Sequence, residues 1–257
     1  MTTDDFPRHS LNCDMGEGYY RWALGPDEEL FPLIDFCNVA CGFHAGDHNT
    51  MLKTVRSAIK HGVRIGAHPG LDDVRGFGRR KLEVTDDEVY AMALYQLGAL
   101  KAIVEAEGAK VSHVKPHGML YFIIRDDAAK MRAFMKAQTS IFGTTIPFFG
   151  LKGTPHEAVA AEFGVRFIPE LFCDIDYDPS GKLLGVPQSH APTAELIGRK
   201  LDRLFSKAET IDIDGNPLPL DAAKGPFTIC LHSDMPTAVA NVSAAREVVD
   251  RYKTAAA

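Results

Sequence analysis

Apolar and polar positions along the chain repeat one unit. A short run rich in Val, Ile, Phe or Cys is followed by a loop bearing glycine or histidine, then by a stretch with helical apolar spacing. The short runs are HSLNCD (9–14), FCNVAC (36–41), RIGAH (64–68), HVKPH (113–117), IPFFG (146–150), RFIPELF (166–172) and FTICLHSD (227–234). The segments between them predict helices near 49–61, 86–107, 127–138, 155–163, 193–207 and 236–252. End signals agree with these bounds. Thr85-Asp86-Asp87-Glu88 matches a capping box, Pro155 follows Thr154 as an N1 proline does, and Gly62 and Gly108 close their segments.

Strands alternating with helices predict an α/β protein with a parallel sheet, and closing that sheet into a barrel removes its edges. A seven-stranded, TIM-like (β/α) barrel and a doubly wound open sheet both satisfy the pattern. The stretches 173–194 and 212–226 carry turn residues and read as loops or small hairpins added to the core, and the Ala-rich tail reads as frayed.

Composition narrows the function classes. At 257 residues with 46% hydrophobic side chains, the chain suits one barrel domain over 1–257 with its core at about 9–252. A net charge of -6 speaks against nucleic acid and anionic membrane as partners, since both need clustered cations, and GRRK (78–81) is too brief to change that. The first residues, MTTDDFPRHS, lack a signal peptide's basic start and apolar stretch, and no segment approaches the ~20 apolar residues of a membrane span. Five cysteines without a CxxC pair read as reduced, buried thiols, so a cytoplasmic protein is expected.

The chemistry lies at the strand ends. Asn12 and Asp14 end the first run; Asn38 lies in the second, which runs on to His44 and Asp47. His68, then Lys115 and His117, Glu170, and finally His232 and Asp234 end later runs. Taken singly, each reads as a hydrogen-bonded structural residue. In a parallel barrel all carboxyl ends lie on one face, so the whole set would converge there, and so many buried polar groups are costly unless paired or used. His44 and His48 have a spacing that two metal-binding imidazoles on a helical turn share, although Asp47 beside them also reads as a helix N-cap. No phosphate loop, dinucleotide fingerprint or nucleophile elbow is present.

The strings LNCDMGEG (11–18), NVACGFHAGD (38–47), IGAHPG (65–70), GFGRR (76–80), VYAMALYQLGAL (89–100), HVKPHGMLY (113–121) and LHSDMPTAV (231–239) occur in an order that resembles the LamB/YcsF family of 5-oxoprolinase A subunits. The resemblance implies a seven-stranded barrel of the glycoside hydrolase/deacetylase type. It further implies ATP-dependent opening of 5-oxoproline to glutamate together with subunits B and C, ATP being a co-substrate accompanied by magnesium. The matching positions are Asp14, His44, Asp47, His68, Lys115, His117 and Asp234. This chain departs from the family at His48, where proline is usual, at Ser233, where glycine is usual, and at Ile175, which replaces an arginine.

A five-membered lactam resists hydrolysis, so coupling to ATP requires cations for phosphate and carboxylate and a base for water. Asp14 or Asp234 is the expected base. His44, His68 and His117 are the expected proton carriers, and Asn12, Asp47, Lys115, Glu170 and His232 the expected substrate or phosphate contacts. Arg79 and Arg80 are secondary phosphate candidates that also read as solvated loop residues. Two other readings stay open: a metal-dependent deacetylase or amidohydrolase acting without ATP, and a non-catalytic or regulatory subunit.

Overall fold

The computed structural model describes residues 6–255. Its strands are β1 (His9–Met15), β2 (Phe36–Ala40), β3 (Arg64–His68), β4 (Val111–Val114), β5 (Phe148–Gly150), β6 (Phe167–Phe172), β7 (Glu209–Ile211), β8 (Pro217–Pro219) and β9 (Phe227–Leu231). Its helices are α1 (Asp27–Leu30), α2 (His48–His61), α3 (Asp86–Ala106), α4 (Gly118–Asp126), α5 (Ala128–Phe142), α6 (Pro155–Glu162), α7 (Ala194–Lys207) and α8 (Ala238–Ala255). Strands β1 to β6 pair in chain order, and β9 closes the ring between β6 and β1, every pair parallel. The closed seven-stranded barrel replaces the open-sheet alternative. β7 and β8 form a separate antiparallel hairpin whose turn falls at the start of the 212–226 stretch.

Alternation along each strand sorts side chains between two cores. Leu11, Cys13 and Met15 of β1, Cys37 and Val39 of β2, and Ile65 and Ala67 of β3 belong to one large apolar cluster with the helices, including Leu97 and Leu100 of α3 and Phe134 of α5. Each large apolar side chain among them contributes about 1.5–3 kcal/mol by leaving water. The opposite parity carries polar groups into a layered interior. Phe36, Phe149 and Ile168 pack together with Phe6 against them, while Asn12, Asn38, His113 and Thr228 form a hydrogen-bonded layer. Asp14 and Lys115 follow, bonded to each other and to that layer through Asn38.

Register makes this layer depend on one glycine. Gly66 of β3 pairs with both Asn38 and His113, and a Cβ there would lie 2.1 Å from His113 Nε2. Only the missing side chain leaves room for the imidazole.

The caps follow the sequence signals. Asp47 accepts from the backbone of Asn49 and Thr50, the Thr85–Glu88 box forms, and Thr154 precedes Pro155 at the start of α6. Three helices depart from the sequence reading, the single-turn α1 among them having no counterpart in it. α5 begins one residue after its Asp127 cap and runs on to Phe142, and α4 has no counterpart among the expected helices. The pattern of its sequence, GMLYFIIRD, is almost uniformly apolar, which conceals a helical period; Leu120, Tyr121 and Ile124 are buried. The end of the Ala-rich tail lies outside the described residues.

Candidate active site

At the carboxyl end of the barrel Asp14 is the hub. Its Oδ1 accepts from Lys115 Nζ at 2.6 Å and from Asn38 Nδ2 at 2.8 Å, and its Oδ2 lies 3.2 Å from His68 Nε2. Burial raises Asp14, but its cationic surroundings, the Lys115 ammonium at 2.6 Å foremost, outweigh it and hold the carboxyl well below the usual range. Burial likewise opposes the charge on Lys115, yet Asp14, Cys230 and Glu170 keep the ammonium well above its ordinary value. Lys115 Nζ also donates to Cys230 Sγ at 3.1 Å, so two of its three protons are assigned.

Beside this pair is a histidine cluster. His68 Nδ1 is 2.6 Å from the Lys115 carbonyl, and His117 Nε2 is 2.8 Å from the Phe77 carbonyl. Carbonyl oxygens only accept, so these nitrogens carry the protons. His68 Nε2 and His117 Nδ1 then present lone pairs to each other across 3.0 Å. Burial lowers both rings, His68 to about 3 and His117 well below its ordinary value, so both are neutral at pH 7. Glu17 Oε1 stands 3.2 Å from His117 Nδ1, 3.8 Å from His68 Nε2 and 3.0 Å from His44 Nε2. The ring of His44 is stacked on His117 at 3.7 Å, within 2° of parallel.

The loop after β3 closes over this cluster. Asp73 binds Arg80 and the backbone of Gly76, while Phe77 takes a left-handed φ of 53° and its carbonyl reaches His117.

A cavity of about 100 Å³ adjoins the hub, walled by Arg79, Lys115 and His232 and, on its apolar side, by Tyr121, Phe172 and Ile175. His232 receives its orientation from Asp174, whose Oδ2 accepts from the His232 backbone at 2.6 Å and from Nδ1 at 3.0 Å. Burial lowers the His232 pKa, but the Asp174 and Asp14 carboxylates more than offset it and raise the ring above its ordinary value. An imidazole whose hold on its proton is strengthened therefore borders the cavity, with Lys115 beside it placed to bind an anion. Deeper in the barrel, burial raises Glu170 and outweighs the opposing pull of the Lys115 ammonium.

Of the residues read from the sequence, Asp14, His44, His68, Lys115, His117 and His232 meet in this network, while Asn12 joins it through Asn38. Glu170 is buried behind it. Asp234 instead forms a two-bond pair with Arg79 at 2.6 and 3.1 Å, and Asp47 is taken up by its cap and by the backbone of Tyr20. The His44–His48 metal pair does not form. His44 precedes the Asp47 cap and is buried, whereas His48 begins α2 and is exposed, so the two never share a helical turn. Arg80 is committed to Asp73 rather than to a phosphate. The sequence reading passed over Glu17 and Asp174; the flanking Gly16 and Gly18 were the signal for the first, and its place shortly after β6 the signal for the second.

Comparison with known proteins agrees with this architecture. The chain is 40% identical over 243 residues to the A subunit of 5-oxoprolinase from Thermus thermophilus, covering 94% of this chain and 95% of that one. It is 38% identical over 242 residues to the lactam utilization protein lamB of Emericella nidulans, covering 94% of each. The crystal structure of the lactam utilization protein from Thermus thermophilus superimposes with a TM-score of 0.85 at 39% identity, covering 95% of this chain and 96% of that one. With the LamB/YcsF family model matching residues 9–257, the chain belongs to the LamB/YcsF family.

Proposed function

We propose that this chain is the A subunit of an ATP-dependent 5-oxoprolinase, opening the lactam of 5-oxo-L-proline to L-glutamate with subunits B and C. Relatives named as A subunits of 5-oxoprolinase and as a lactam utilization protein, matched over nearly the full chain, support the reading. The observation that carries it is the cavity beside the Asp14–Lys115 pair. At about 100 Å³ it lies well under the roughly 300 Å³ of common small-molecule pockets, which suits a single five-membered ring acid better than a nucleotide. A partner-supplied nucleotide site fits that restriction.

The chemistry follows from the groups in place. Transfer of the ATP γ-phosphoryl to the amide oxygen releases ADP and leaves an electrophilic carbon. Water adds to that carbon, the C–N bond breaks as the ring nitrogen takes a proton, and a second water hydrolyses the resulting acyl phosphate to glutamate and phosphate. Lys115 holds the substrate carboxylate or the phosphorylated oxygen, and His232 gives the proton to the ring nitrogen. Asp14 Oδ2, the oxygen that Lys115 leaves free, accepts a hydrogen bond from the attacking water. Asp234 positions Arg79 at the cavity wall. ATP and five buried free thiols both suit the cytoplasm, and no helix among the described residues is long and apolar enough to cross a membrane.

A second reading, a metal-dependent amidohydrolase, is favoured by the Glu17–histidine cluster. One assay separates them: glutamate release from 5-oxoproline by the purified chain, with and without ATP, partner subunits and chelator. Release that requires both ATP and the partners supports the 5-oxoprolinase reading. Release by the chain alone without ATP, abolished by chelator, overturns it.

A further inference from the structure

Two groups of side chains in the barrel mouth converge like metal ligands, and they differ in one respect. Asp14, Cys230 and His232 already surround a cation, the Lys115 ammonium, which donates to both Asp14 and Cys230. Glu17, His44, His68 and His117 surround no such side chain, and among the described residues the ion pairs of Glu17 are to histidines alone.

The tautomers decide what the second group lacks. His68 gives its Nδ1 proton to the Lys115 carbonyl and His117 its Nε2 proton to the Phe77 carbonyl, so the facing nitrogens at 3.0 Å are both bare. Two lone pairs at that distance, with a carboxylate oxygen 3.2 and 3.8 Å away, repel unless a positive centre sits among them. Backbone carbonyls holding the far ring nitrogen are the usual outer support of metal-binding histidines. Donor atoms about 2.0–2.2 Å from one ion lie about 3.0–3.6 Å apart, which is close to these separations.

We propose that Glu17, His68 and His117 bind one divalent transition-metal ion. Two imidazole nitrogens and one carboxylate oxygen suit zinc, iron, nickel or cobalt and leave coordination positions open toward Asp14 Oδ2, itself 3.2 Å from His68 Nε2. His44 is not a ligand. Its ring lies parallel to His117, so the in-plane lone pairs of the two cannot meet at one point; it donates Nε2–H to Glu17 Oε1 and is a positioning residue. Gly70 makes this stacking possible, because a Cβ there would come within 2.4 Å of His44 Nδ1. A bound ion of this kind supplies Lewis-acid character and acidifies coordinated water.

The test is direct metal binding, which uses no turnover and is therefore independent of the lactam reading. Chelator-treated protein is titrated with Zn²⁺ followed by metal analysis, and with Co²⁺ followed by its visible absorption. One equivalent per chain is expected. Glu17→Gln, His68→Gln and His117→Gln should each weaken binding about 100-fold, with circular dichroism verifying the fold, and His44→Ala about tenfold. Failure of the wild-type protein to take up an equivalent of either ion overturns the proposal, whether or not any variant folds. So does an equivalent held equally well by Glu17→Gln, the variant that changes the packing least.

Discussion

Lys115 Nζ lies 2.6 Å from Asp14 Oδ1 with both side chains sealed from solvent, so opposite charges from the ends of β4 and β1 neutralise each other inside the barrel. Removing one partner strands the other. Lys115→Met should cost about 3–5 kcal/mol in urea unfolding and abolish glutamate release. Lys115→Met combined with Asp14→Asn should regain much of that stability and none of the activity. A double variant no more stable than Lys115→Met would refute the pairing argument.

Asp174 raises His232, and the proposed role of His232 requires its proton. In Asp174→Asn the ring loses its nearest anion and its pKa falls. Activity that depends on the protonated form disappears as pH rises through that pKa, so the basic limb of the kcat/KM profile should move to lower pH. An unmoved basic limb would remove His232 as the proton donor.

His156 tests the link between burial and acid stability away from the catalytic groups. Its Nε2 donates to the Tyr121 carbonyl and its Nδ1 accepts from the Leu151 backbone, so the folded ring has no place for a second proton. Burial lowers it from 6.5 to about 3. A histidine depressed on folding contributes stability above its unfolded pKa and loses it as pH falls from 6.5 toward 3. That loss is about 2 kcal/mol at pH ~5. His156→Asn should show a shallower decline in unfolding free energy between about pH 6.5 and 4 than the parent; equal slopes would contradict the assignment.

Two glycines should respond oppositely to alanine. Gly66→Ala drives a methyl into His113 and should destabilise by about 1–3 kcal/mol or more, since the neighbour is a fixed ring. A Cβ added to Gly98, inside α3, would meet Ile141 Cδ1 at 3.8 Å, an ordinary contact. Gly98→Ala should therefore stabilise by up to about 1 kcal/mol through helix propensity. Midpoints of urea unfolding measure both, and the opposite signs are the prediction.

Much of the fold was legible because barrel strands and their helices differ in hydrophobic period, and each of the seven predicted runs overlaps a barrel strand, although Lys115 to His117 and His232 to Asp234 lie past the ends of β4 and β9. What escaped did so for identifiable reasons. α4 is too apolar to show a helical face, and the separation of His44 and His48 resembled a helical pair although Asp47 starts the helix between them. Glu17 belongs to no strand, and Asp234 lies in the turn beyond β9, where it pairs with Arg79.

The sequence by itself determined that polar groups collect at the carboxyl ends of parallel strands, because alternation and strand direction are local properties that survive any closure of the sheet. Which of those groups meet, and in what protonation state, only the tertiary structure decided. The tautomer of His68 depends on a carbonyl 47 positions away, and the charge of Lys115 on a carboxylate 101 positions away. Contacts of that range are made by barrel closure, and electrostatics in a buried site depends on distance through space rather than on position along the chain.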